Sequence, residues 1–192
     1  MHFAAKRSII VSAPNGYFLY CITTVMIVKK ISAREGLFSM LTNYHTHTTR
    51  CGHAEGTEEE YILTALRCGY KVLGFSDHTP WAYATPGFVS HIRMLPAQLD
   101  DYVLTLRSLR EKYADRLHLH IGLEAEYFPA YLGWLKEETE RLGIEYLILG
   151  CHYDTTDEQD AKARRFGGSA SPAHGRRYAE QVEQALETGL YR

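Results

Sequence analysis

From Met40 onward, short apolar runs alternate with longer amphipathic stretches. Leu41 to Thr46 reads as a first strand. Thr57 follows, with Glu60 three residues on, which is the capping-box pattern that opens a helix. Tyr61, Ile62, Ala65 and Leu66 then form one apolar stripe at helical spacing, and Gly69 is its stop. Lys71 to Ser76 predicts a second strand that ends in Asp77 and His78. A longer connection carrying Pro80, Pro86, Gly87 and Pro96 leads to a second helix, marked by Leu99, Tyr102, Val103, Leu106, Leu109 and Tyr113. Leu117 to Glu124 predicts a third strand. Tyr131 to Leu142 predicts a third helix, with Gly143 just past its end. Tyr146 to Cys151 predicts a fourth strand, ending in His152. A polar loop precedes a last helix over Arg176 to Thr188, with Tyr178, Val182, Ala185 and Leu186 on one face. Regular alternation of strand and helix predicts an α/β fold with a parallel sheet.

Residues 1–39 break this pattern. Lys6 and Arg7 precede an apolar run, Tyr17 to Val28, followed by Lys29 and Lys30. Twelve residues are too few to span a bilayer. The basic-then-apolar order is compatible with a signal segment, but no small-x-small cleavage site follows. Residues 1–39 are expected to be a mis-assigned upstream extension, with the natural start at Met40 and the domain over 40–192.

Composition changes this picture little. The 192 residues suffice for one domain with a sizeable core, and 45% hydrophobic with 23% charged residues is ordinary for a globular protein. A net charge of −2 gives no electrostatic case for a nucleic-acid or membrane partner. Cys21, Cys51, Cys68 and Cys151 form no CxxC pair, which argues against a zinc finger or disulfide scaffold and suits a reducing, cytoplasmic setting.

The ten histidines do change it. His45, His47 and His53 fall within nine residues. On a strand, His45 and His47 point the same way, about 7 Å apart, and a third imidazole arrives from the following loop. Neutral imidazoles grouped in this way suit a zinc-type divalent cation. Further ligand-type side chains close the later strands: His78, Glu124 and His152. In parallel α/β barrels the active site lies at the C-terminal ends of the strands. His118 and His120 share the parity of Glu124, but His120 is about 13 Å away along the strand, too far to share an ion.

The ordered set His45-x-His47, CGHAEGTEEEY with His53, GFSDH with His78, GLEAEY with Glu124 and LGCHYD with His152 resembles the polymerase and histidinol phosphatase (PHP) superfamily, in its histidinol-phosphatase branch. The resemblance covers about residues 40–192. It implies a distorted, TIM-like (β/α)7 barrel, of which this chain would hold about the first four βα units. It implies a cluster of two or three divalent ions (zinc, manganese or iron) held by His45, His47, His53, His78, Glu124 and His152. Glu124 would bridge two ions, with Glu126 the lesser candidate. The implied reaction is hydrolysis of a small-molecule phosphate ester, L-histidinol phosphate, in histidine biosynthesis. Asp77 is expected to orient a neighbouring imidazole as an acceptor, and Arg50 to contact phosphate through its forked donors.

The superfamily also uses a later His-Pro-Asp phrase and an Asp-x-His, and neither is in this sequence. The segment from Met40 is well short of the roughly 250 residues of a full barrel. The expectation is therefore an N-terminal part of such an enzyme, weak or inactive alone and self-associating through exposed barrel edges. The competing expectations are a PHP-type phosphoesterase or exonuclease acting on nucleotides, and a non-catalytic metal-binding fragment.

Overall fold

The protein is described by a computed structural model over residues 42–158, 165–167 and 171–191, and as backbone strands within 9–30. Those strands are β1 (Ile9–Ala13), β2 (Tyr17–Ile22) and β3 (Val25–Lys30), paired antiparallel in the order β1-β2-β3. The apolar run from Tyr17 thus lies in two strands of one small sheet. The expected start at Met40 lies outside the described residues.

The second sheet contains β4 (Thr42–Asn43), β5 (Val72–His78), β6 (His118–Ala125) and β7 (Tyr146–Leu149). All pairs are parallel and the order is β4-β5-β6-β7. Helices α1 (Glu58–Arg67), α2 (Leu99–Lys112) and α3 (Leu132–Leu142) connect successive strands, and α4 (Pro172–Glu187) follows β7. Neighbours in sequence are neighbours in space, which is the singly wound arrangement of a barrel.

Alternation divides each strand between two faces. Leu73 and Phe75 of β5 pair in register with Leu119 and Ile121 of β6, and all four are buried in the core under the helices. The alternate set pairs Gly74 with His120, Ser76 with Gly122 and His78 with Glu124. On this second face the ring of Tyr146 lies across both glycines, where a Cβ on either would collide with it. The Tyr146 hydroxyl lies 2.7 Å from the carbonyl oxygen of Tyr44 and 3.0 Å from that of Phe75. One tyrosine therefore fills the middle of this face and ties β7 to β5 and to the segment just after β4.

The capping box at Thr57 is present. Thr57 Oγ1 accepts from the Glu60 amide at 3.3 Å, and Glu60 Oε2 accepts from the Thr57 amide at 2.7 Å. The first strand is shorter than the Leu41–Thr46 expectation. Asn43 Oδ1 accepts from the His45 amide at 3.0 Å, and Asn43 Nδ2 donates to Thr46 Oγ1 at 3.0 Å. This local bonding competes with the ladder, although Ser76 N still donates to Thr46 O at 2.8 Å. The last helix begins at Pro172 rather than Arg176, because proline suits the first helical turn. No described helix is long and apolar enough to cross a membrane.

Candidate metal centre

The β5–β6 register fixes the centre of the site. His78 and Glu124 are direct partners, side by side at the C-terminal ends of their strands. Glu124 Oε2 lies 3.1 Å from His45 Nε2, 3.2 Å from His47 Nε2 and 3.2 Å from His78 Nδ1. Its other oxygen, Oε1, lies 3.5 Å from His152 Nε2. His53 completes the ring cluster, its centroid 4.8 Å from that of His78 and 5.7 Å from that of His47. His45 and His47 converge at their tips, where their Nε2 atoms are 3.1 Å apart. Close approach of backbone to the carboxylate also requires Gly150, whose Cβ, were it present, would sit 2.8 Å from Glu124 Oε1.

The electrostatics follow from this packing. Burial alone would raise the Glu124 carboxyl, but hydrogen bonding to His45 and His47 and the neighbouring His78 hold it far below the usual carboxylate range. Burial pushes His78 well below the ordinary imidazole value, so it stands neutral with a lone pair available.

An outer layer holds these side chains. Glu126 grips His152 at two points: Oε1 lies 2.7 Å from Nδ1, and Oε2 accepts from the His152 amide at 2.8 Å. That carboxylate sets the ring so that Nε2 faces Glu124. Buried Arg93 donates to Glu126 Oε1 at 3.0 Å and to Asp157 Oδ2 at 3.1 Å. Asp157 also accepts from Ser90 Oγ at 2.8 Å and from the Tyr83 hydroxyl. On the other side, fully buried Asp77 accepts from both the backbone amide and the hydroxyl of Thr48. Its nearer oxygen is 3.9 Å from His47 Nδ1, beyond hydrogen-bond distance. Thr48 thus takes both oxygens of Asp77, and any orienting of His47 by this carboxyl is not through a direct hydrogen bond.

Arg50 is not brought to the cluster. Its guanidinium pairs with Glu58, donates to Asp101 Oδ2 at 2.7 and 3.1 Å, and reaches Thr105 Oγ1 at 3.3 Å. With every nitrogen so engaged, it ties the His47 loop to α1 and α2 instead of facing the site. His120 lies away from the cluster as well, 2.6 Å from Glu145 Oε2 through Nδ1.

A PHP domain family model matches residues 43–187. The chain belongs to the PHP-domain family. Two curated relatives, each named "Probable histidinol-phosphatase", match it. The Deinococcus radiodurans protein is 34% identical over 116 residues, covering 59% of this chain and 42% of that protein. The Schizosaccharomyces pombe protein is 29% identical over 115 residues, covering 57% of this chain and 38% of that protein. The solved structure of the "putative histidinol phosphatase hisK" from Listeria monocytogenes superposes with a TM-score of 0.51 at 23% identity, covering 67% of this chain and 50% of that one. The fold is thus part of a PHP barrel. The chain spans about two-fifths of the length of the curated relatives it matches.

The donors of this PHP domain fit a divalent cation. Two nitrogens bound to one tetrahedral ion at 2.0–2.1 Å stand about 3.3 Å apart, and the nitrogen and oxygen atoms around Glu124 are 3.1 to 3.5 Å apart. The facing Nε2 atoms of His45 and His47 can share one proton between them, whereas a cation satisfies both lone pairs. Glu124 belongs to two donor groups, one with His45 and His47 and one with His78 and His152. The sequence reading missed Arg93 and Asp157, which lie in connections without periodicity. It weighed Glu126 only as a ligand. Its position two residues beyond Glu124 was the available signal that it shares the same face.

Proposed function

We propose that this PHP domain belongs to a metal-dependent phosphatase hydrolysing L-histidinol phosphate to L-histidinol and phosphate. The observation that carries this reading is the convergence of four imidazoles on the single carboxylate of Glu124. The names of the two curated relatives point to the same substrate. In this reading His45, His47, His53, His78, Glu124 and His152 hold two or three divalent ions (zinc, manganese or iron), with Glu124 bridging.

Such ions, when bound, supply hydroxide near neutral pH and screen the charge of a phosphate ester. The chain's own residues keep the donors aimed: Glu126 fixes His152, and Asp77 anchors the His47 loop through Thr48. Arg50 is left out of this site. Calorimetric titration of the zinc- or manganese-loaded chain with L-histidinol phosphate tests the assignment. Binding that disappears in His47→Ala, with at most slow phosphate release, is expected. Preference for nucleotides or single-stranded DNA would replace it with the nucleotide-directed reading, and failure to bind either ester would leave a metal-binding domain without this substrate.

A further inference from the structure

His47 presents two different nitrogens to two different environments. Nε2 faces Glu124 and His45, while Nδ1 faces Cys51. An imidazole that ligates through Nε2 keeps its proton on Nδ1, and that N–H needs an acceptor. Asp77 carries the carboxyl group on that side, but its oxygen is 3.9 Å away. Cys51 Sγ is nearer, 3.4 Å from His47 Nδ1, and it also lies 3.5 Å from Asp77 Oδ1 and 3.4 Å from the carbonyl oxygen of Thr48. These are hydrogen-bond distances for sulfur.

The backbone holds the sulfur in this gap. Residues Thr49–Cys51 form a single tight turn, with Thr48 Oγ1 accepting from the Arg50 amide at 3.2 Å. Gly52 closes the turn at φ 71°, a left-handed conformation that glycine adopts without strain. Thr48 itself is clamped to Asp77. The turn, the carboxylate and the imidazole are therefore one unit, and Cys51 is 1% exposed within it.

We propose that Cys51 is a positioning residue for the metal centre: its sulfur accepts the Nδ1–H of His47 and its S–H is donated to Asp77 Oδ1, so that the buried carboxylate sets the ring orientation and tautomer of His47 through a thiol. The carboxylate–histidine pair that commonly orients a metal ligand is here lengthened by one sulfur. The proposal rests on the metal-centre reading above. The rival role for Cys51 is direct ligation as a thiolate, together with His47 and His53, whose donor atoms lie within 4.8 Å of it. That role would require His47 to bind ions through both nitrogens.

The test is zinc affinity of the full chain, measured by chelator competition, for wild type, Cys51→Ala and Cys51→Ser. Loss of an orienting partner typically weakens metal binding by about 10–100-fold. That loss is expected for Cys51→Ala, and Cys51→Ser is expected to stay within a few-fold of wild type because a hydroxyl both accepts and donates. Cobalt(II)-loaded wild type should lack a sulfur-to-cobalt charge-transfer band. In the zinc-loaded wild type, long-range ¹H–¹⁵N NMR should show His47 protonated at Nδ1, a readout that needs no variant to fold. Wild-type affinity in Cys51→Ala, equal weakening in both variants, a cobalt–sulfur band or a His47 without Nδ1–H would each overturn the relay. A wild-type chain that takes up no zinc would instead overturn the metal-centre reading, and the relay with it.

Discussion

Glu124 is a buried carboxylate faced by four imidazoles, and its place depends on the residue behind it. Gly150 leaves room for the carboxylate, with a virtual Cβ only 2.8 Å from Oε1. Gly150→Ala should push Glu124 off its donors and weaken zinc binding by roughly tenfold or more, since sites tolerate about 0.5 Å of misplacement. Chelator competition would show it, and unchanged affinity would mean that the carboxylate is not fixed there. At this scale the ligand-type residues were legible in the sequence, because imidazoles and a carboxylate at successive strand ends are a pattern of residue types. Their partners were not. Arg93, Asp157 and Cys51 make contacts with residues far apart in sequence or across a turn, and such contacts carry no periodic signal. The acceptors of Arg50 were hidden for the same reason: nothing in its sequence neighbours announced Glu58 and Asp101.

Among the described elements, hydrophobic periodicity located the four α-helices and the four strands of the second sheet, and the differences arise at ends. Asn43 shortens β4 by bonding the His45 amide, and Pro172 extends α4 by one turn. The parallel register could not be read from any single strand, yet it is what places His78 against Glu124. A one-residue slip of β6 would move Glu124 to the helix side. The N-terminus of α1 offers a clean test of local stability, because Thr57 and Glu60 satisfy each other's amides. Thr57→Ala should cost about 1 kcal/mol, read as a lower urea midpoint at unchanged m-value. A midpoint equal to wild type would mean that this cap contributes nothing to the cooperative unit.

For the whole molecule, the described parallel sheet has β4 at one edge and β7 at the other. Unpaired strand edges recruit other chains, and we propose that this chain, expressed alone, self-associates. Sedimentation velocity should show oligomers or aggregates that grow with concentration; a monomer that melts cooperatively would defeat that expectation. The metal centre that this PHP domain is proposed to build on Glu124 is tested by metal content. The chain, loaded with zinc or manganese and dialysed, is analysed by plasma mass spectrometry beside Glu124→Gln. At least one tightly held ion per chain is expected in wild type and substantial loss in the variant, with release on acidification as protons compete for the ligand imidazoles. A wild-type chain that retains no ion, or a variant that retains as much as wild type, would contradict the proposal.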